Sequence, residues 1–269
     1  MAHETITDES KLAVVTGASS GIGFALATHA ARHGFDLVLC AEDEHLTQAA
    51  RELAQHGTHV TAIRADLAKR EGVEQLAQAI EQTGRPVEAL LLNAGVGVSG
   101  SFLDTALEDE LRMIALNVSS TVHLAKRLVP GMVARKRGKV LVTASVASTT
   151  PTPFMTIYGA TKAFDLSFAE GLRAELAPHG VTVTALQPGA TDTNFFARAG
   201  ATDTKVGQGS KDDPMEVARL GFEAMLAGKD AVVASSLKSK LVGALNEILP
   251  EPLKAKLQAT MNEPHPKGR

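Results

Sequence analysis

The 269-residue sequence predicts an α/β fold, a doubly wound and mainly parallel sheet of seven strands with helices on both faces. Two observations predict it. Apolar runs of strand length alternate from end to end with longer stretches of helical period, the pattern of parallel strands joined by crossover helices. The composition is also uniform: 44% hydrophobic residues and 23 glycines permit a large core with many tight turns, and no compositional break divides the chain. The expectation is a single domain over residues 1–269.

In chain order, strands are expected near 12–16 (LAVVT), 36–40 (DLVLC), 59–63 (HVTAI), 88–92 (EALLL), 139–144 (KVLVTA), 181–186 (VTVTAL) and 230–234 (DAVVA). Between and after them, helical period predicts helices near 21–33, 43–56, 70–83, 107–136, 158–178, 214–227 and 236–247. The two long helices should stop at Gly138 and Pro178, residue types that end helices. The stretch 189–213 breaks the rhythm. Rich in Gly, Thr, Ala and Asp, it reads as a substrate lid, because an irregular segment of that length in a compact domain is usually functional. From about residue 250 the prolines and basic end predict a loosely packed tail.

Charge and cysteine content narrow the partners. A net charge of -3 gives no single-sign field, so neither nucleic acid nor an anionic membrane is expected to bind, and small molecules are. Cys40, the single cysteine, forms no intrachain disulfide and reads as a small buried hydrophobe, which suits a reducing cytoplasm. No apolar run reaches membrane-spanning length, and the N-terminal MAHETITDES lacks the basic start and apolar core of a signal peptide. His29 and His33 share a helix face, but nothing completes a ligand set, so no metal site is expected and the pair reads as solvated.

The first strand runs into TGASSGIG, with Gly17, Gly21 and Gly23, and then a helix. Strand, glycine turn and helix start together form an anion site: glycines admit a pyrophosphate, and the helix N-terminus presents free N–H groups. This is the Rossmann-type arrangement, with an unusual spacing of three residues and then one between glycines. At the end of the second strand Glu42 and Asp43 follow Gly23 by 19 and 20 residues, where a carboxylate would bind the adenosine ribose. Such a carboxylate about 5 Å from a 2'-phosphate repels it by roughly 3 kcal/mol per charge pair at an effective dielectric near 20. NAD is therefore expected over NADP, unless Arg51 or Lys11 folds over and neutralises the carboxylates.

Tyr158, the only tyrosine in a chain without tryptophan, stands four residues before Lys162 in TIYGATKAF, so the two share a helix face. Ser145 lies 13 residues earlier at the end of the fifth strand, and ligands in open parallel sheets bind beyond such strand ends. The residue types suit carbonyl reduction. A hydride arriving at carbonyl carbon leaves charge on oxygen, which needs a proton. A free phenol ionises only near pH 10, but a cation about 4 Å away is worth roughly 4 kcal/mol at that dielectric. Lys162 and an oxidised nicotinamide would thus poise Tyr158 as acid in reduction and base in oxidation, with Ser145 a neutral donor to the substrate oxygen. Alone, a Tyr/Lys helix pair means little. The other motifs in register give it weight.

Together these residues resemble the single-domain branch of the short-chain dehydrogenase/reductase family. TGASSGIG is similar to its cofactor turn, LNAG at 92–95 to its sheet-stabilising motif, LNVSS at 116–120 to its catalytic-asparagine segment, YGATK to its active-site helix and PG at 188–189 to its nicotinamide contact. The resemblance implies cofactor contacts from Gly17, Ser19, Ser20, Gly21, Ile22, Gly23, Glu42, Asp66, Leu67, Asn93, Ala94, Gly95, Tyr158, Lys162, Pro188, Gly189 and Thr191. It implies that Lys162 holds the nicotinamide ribose and that Asn117 positions a proton-relaying water. It also implies a homodimer or homotetramer through the two long helices. Two positions depart from the family pattern: Leu92 precedes Asn93 where a second asparagine is frequent, and Ala41 stands where NAD-preferring members often carry aspartate. Asp66 has a competing reading as a helix cap, and Ser148 reads as a plain loop serine. Phe195, Phe196 and Met215 are expected to line an apolar substrate pocket or to pack the lid down. The function expected is an NAD(P)-dependent interconversion of secondary alcohol and ketone, with a small-molecule carbonyl or alcohol substrate that leans toward a hydrophobic compound of fatty-acyl or steroid-like kind. A dinucleotide-binding sensor or scaffold without turnover is the alternative.

Overall fold

In the computed structural model, residues 11–234 and 251–264 are described. Seven strands form one parallel sheet: β1 (Lys11–Thr16), β2 (Phe35–Ala41), β3 (Val60–Arg64), β4 (Val87–Leu92), β5 (Gly138–Thr143), β6 (Val181–Pro188) and β7 (Ala231–Ala234), in spatial order β3-β2-β1-β4-β5-β6-β7. Every predicted strand is present to within two residues at each end. Their near-continuous apolar character follows from two-sided burial. Alternate residues of β4 divide between two cores, Leu90 and Leu92 joining Val140, Leu124 and Leu76, and Leu91 joining Leu26, Leu141 and Phe222.

The helices that cover the sheet are α1 (Gly21–Arg32), α2 (His45–Ala54), α3 (Arg70–Gln82), α4 (Leu107–Ile114), α5 (Ser120–Ala134), α6 (Thr156–Leu176) and α9 (Pro214–Leu226), while α7 (Phe195–Arg198), α8 (Lys205–Gln208) and α10 (Glu251–Asn262) lie toward the strand C-terminal ends. The helix expected over 236–247 lies outside the described residues. No helix among the described residues is long and apolar enough to cross a membrane.

Four expectations need correction. The helix expected over 107–136 is interrupted by a π turn at Ala115–Ser119, where the Thr121 hydroxyl donates to the Asn117 carbonyl (2.9 Å). Wide turns of this kind recur at functional sites. The helix also stops earlier, because Lys136 adopts the left-handed conformation (φ 52°) and Arg137 N–H returns to the Met132 carbonyl (3.1 Å), so Gly138 belongs to β5. The tail is not loosely packed over its described part: α10 carries buried Lys254 and Asn262, and the Asn262 amide donates to the Pro153 carbonyl (3.2 Å). The histidines are not a solvated pair either. His29 is buried, stacked near Phe222, with Nε2 3.1 Å from the Met215 carbonyl, and burial holds its pKa below the ordinary imidazole value.

Candidate active site

Strand order reverses between β1 and β4, and the crevice beyond their C-terminal ends is where a doubly wound sheet receives a ligand. A cleft of about 1220 Å³ opens there. Every predicted site residue except Asn117 lines it.

Its floor is set by Thr16, Asn93 and Thr143, one from the end of each adjoining strand. The Thr16 hydroxyl accepts from Asn93 and Ala94 N–H (2.9 and 3.0 Å), the Asn93 amide donates to the Thr16 carbonyl (3.1 Å), and the Thr143 hydroxyl donates to Asn93 Oδ1 (3.1 Å). The frequent second asparagine is thus not needed to tie β1, β4 and β5 together. Gly17 has φ +67°, and a side chain there would press on the Ala94 backbone at 3.0 Å. Only glycine suits both demands.

The glycine turn fits a dinucleotide pyrophosphate. Ser20 precedes α1 in extended conformation without capping it through its side chain, and the first turn carries no acid. The N–H groups and positive dipole end of a twelve-residue helix therefore face the cleft uncompensated. At the end of β2, where the sequence places the ribose contact, the Glu42 and Asp66 carboxylates are bridged by Arg112 from α4. Neither Arg51 nor Lys11 does this; Lys11 lies over the Phe35 ring. Asp66 does not cap α3, whose N-cap is Lys69; it closes its own turn by accepting from Ala68 N–H (3.0 Å). Burial would raise the Asp66 carboxyl, but the Arg112 guanidinium and the turn outweigh that and hold its pKa below the ordinary range. Asp43 accepts from the Ser19 hydroxyl (2.8 Å) and pairs with Arg198 of the lid (3.6 Å).

At the other end, Tyr158 and Lys162 line the cleft from α6 and Ser145 from the end of β5. The Ser145 hydroxyl oxygen accepts from Ala147 N–H (3.1 Å), so its hydrogen is available to a further acceptor. Ser148 is more than a loop serine. Its hydroxyl accepts from Ser145 N–H (3.2 Å) and donates its own hydrogen to the Lys162 carbonyl (2.7 Å), tying the serine turn to α6. The Lys162 ammonium donates to the Thr143 carbonyl (2.7 Å) and to Asp165 (3.0 Å). Burial alone would lower its pKa; the Asp165 carboxylate and Tyr158 outweigh this and raise it.

Asn117 stands behind this group. Its Oδ1 accepts from Val96 N–H (3.0 Å), and its amide donates to the Val96 carbonyl (3.0 Å) and the Thr161 hydroxyl (2.9 Å). A methyl group on Gly95 would lie 3.3 Å from both Asn117 Oδ1 and Lys162 Nζ, which explains a glycine where the two residues converge.

The lid holds α7 and α8 and is pinned by parallel pairing of Thr191 with Asp212. Phe195 packs on the Tyr158 ring (centroids 5.1 Å apart) and on Phe196 (5.4 Å). Both phenylalanines line the cleft and hold the lid down, whereas Met215 packs with the core beside α1. Sequence reasoning missed Leu257 and Met261 of α10, which complete an apolar wall with Met155. Their only sequence signal is apolar spacing of four residues.

A family profile described as short chain dehydrogenase matches residues 11–204. An uncharacterised oxidoreductase of Staphylococcus aureus is 34% identical over 220 residues, covering 81% of this chain and 92% of that one. Among solved structures, a short-chain dehydrogenase from Sphingobium yanoikuyae in complex with NADPH aligns over 96% of this chain and 98% of its own, with TM-score 0.79 and 30% identity. A bulky-bulky ketone specific alcohol dehydrogenase from Comamonas testosteroni aligns over 96% of each chain, with TM-score 0.75 and 26% identity. This chain belongs to the short-chain dehydrogenase family and is an oxidoreductase served by a nicotinamide dinucleotide.

Proposed function

We propose that this enzyme interconverts a secondary alcohol and a ketone within one domain, with Tyr158 as the proton donor in reduction and acceptor in oxidation. The observation that carries the reading is the convergence of Ser145, Tyr158 and Lys162 on the cleft that the glycine turn opens. A nicotinamide dinucleotide, when bound, supplies or accepts the hydride. The Ser145 hydroxyl donates to the substrate oxygen, Lys162 keeps a positive charge beside Tyr158 and holds the nicotinamide ribose, and Asn117 positions the water that returns protons to solvent. Replacing Tyr158 with Phe should lower turnover at least ~100-fold, the usual share of general acid catalysis, while leaving cofactor binding nearly intact. The measurement is reduced-cofactor absorbance over a panel of alcohols and ketones. Undiminished turnover would sink the assignment.

The Met155, Phe195, Leu257 and Met261 wall favours a bulky, hydrophobic carbonyl compound, and the Comamonas relative is an alcohol dehydrogenase specific for bulky-bulky ketones. The lid over 189–213 closes on it.

NAD is the cofactor we favour. Glu42 keeps its place at the end of β2, but Arg112 shares its charge, so discrimination should be nearer tenfold than the hundredfold of an unpaired carboxylate. The second reading, NADP, has the same arginine in its favour, since a guanidinium is a bidentate phosphate partner, and the Sphingobium relative holds NADPH.

Self-association into a dimer or tetramer is expected through α4, α5 and α6. Leu107 and Leu111 of α4 are 61% and 55% exposed and fall on one side of the helix. A monomer in sedimentation equilibrium at micromolar concentration would exclude it. We place the enzyme in the cytoplasm, where buried Cys40 stays reduced; recovery in a secreted fraction would contradict that.

A further inference from the structure

The Lys162 ammonium is paired with an acid to which the proposed reaction gives no part. Asp165 lies three residues on, with side-chain exposures of 2% for Asp165 and 7% for Lys162. Its Oδ2 accepts from Lys162 Nζ, while Oδ1 is buried with no hydrogen-bond partner among the described residues. Residues 162, 165, 169 and 176 belong to the buried stripe of α6, where an apolar side chain would pack without desolvating a charge. Burying a carboxylate is costly unless a cation answers it. Among the described residues, Lys162 is the cation that answers this one.

The geometry restricts the lysine as well. An ammonium has three donors; Thr143 and Asp165 occupy two of them, leaving one for the cleft that Lys162 lines. Of the neighbouring elements among the described residues, β5 presents the Thr143 carbonyl, the π turn the neutral Asn117 amide, and the loop after β4 the backbone at Gly95. The titratable groups that act on Lys162 are Asp165 and Tyr158, and on Asp165 only Lys162.

We propose that Asp165 is a positioning residue that fixes the Lys162 ammonium at the end of β5 and keeps it charged beside Tyr158. Without the carboxylate, burial favours the neutral amine, and a neutral amine does not stabilise a phenolate. The inference rests on Tyr158 acting as the proton donor, but its test needs neither substrate nor cofactor.

With one tyrosine and no tryptophan in the chain, the near-ultraviolet absorbance of phenolate reports Tyr158 alone. In Asp165→Asn, the alkaline absorbance transition should move to higher pH by about one unit or more, a tenfold or greater loss of phenolate at fixed pH. Combined with Lys162→Met, Asp165→Asn should add no further shift, because the carboxylate acts through the ammonium. Asp165→Leu, which fills the same space without charge, is read in the same way if the asparagine variant does not fold. A transition that stays in place or falls in a folded variant, or an equal rise with and without Lys162, overturns the proposal. Turnover surviving in Tyr158→Phe would instead remove the proton-donor assignment and leave the optical result intact, so the two failures are distinct.

Discussion

The two ends of the cleft both pair acids with bases, but under opposite conditions. At the Tyr158 end, Lys162 and Asp165 are almost wholly buried; at the β2 end, Arg112 and Glu42 are 42% and 50% exposed. The same Coulomb attraction is weak where water screens it and strong where water is excluded. Desolvation opposes it most in the buried pair and less at Arg112 and Asp66, where the attraction outweighs it. The buried pair therefore holds a charge in one place, whereas the exposed one is free to rearrange. Rigidity and adaptability are divided along a single crevice.

The largest effect should follow from breaking the buried pair. Lys162→Met leaves Asp165 enclosed without its cation, and losing one partner of such a pair typically costs about 3–5 kcal/mol, readable as a lowered urea midpoint. Lys162→Met with Asp165→Leu should recover most of the loss, since apolar replacement of a whole buried pair is often neutral. A single variant as stable as the parent would contradict the contrast between the two ends.

The same pair predicts a pH dependence. Lys162 has a folded-state pKa raised above its ordinary value of 10.5 by Asp165 and Tyr158 against the opposing effect of burial. A base so shifted contributes stability that is complete below its unfolded pKa and is lost as pH rises through the folded one. Thermal stability should accordingly fall on the alkaline side of 10.5, and that decline should be shallower in Lys162→Met. Equal slopes for the two proteins would show that other groups govern it.

The contrast also explains what could be read before the fold was known. Strands such as LLL at 90–92 are legible because two-sided burial demands continuous apolar residues, and Tyr158 and Lys162 because four residues bring side chains onto one face of a helix. Asp165 could not be recognised in this way: an acid three residues beyond a lysine ordinarily belongs to a solvated helix face, and only the packing of α6 onto the sheet encloses it. Arg112 was invisible for another reason. Its partners Glu42 and Asp66 precede it by 70 and 46 residues, and nothing local announces the pairing. The π turn at Asn117 depends on backbone bonding that helical periodicity does not report. In α10, proline and basic residues obscured an amphipathic segment whose partner, the lid, is distant in sequence.

The smallest effect on stability belongs to the exposed end. Arg112→Ala should change folding stability by no more than about 1 kcal/mol, the usual limit for an exposed pair, because Glu42 and much of Asp66 return to water. Its effect on the cofactor should be greater. Two carboxylates freed of their guanidinium add negative potential where a 2'-phosphate would lie, so the ratio of NADPH to NADH dissociation constants should rise about tenfold, some 1.4 kcal/mol. Dihydronicotinamide fluorescence measures both constants. Added salt should shrink the change, since charges this exposed are screened over about 10 Å at 0.1 M ionic strength. An unchanged ratio would mean that Arg112 turns away from a bound phosphate, and tighter binding of NADPH by the unaltered protein would mean that the arginine, not Glu42, determines the cofactor. Neither result would disturb the buried pair, because the ends differ in their access to water.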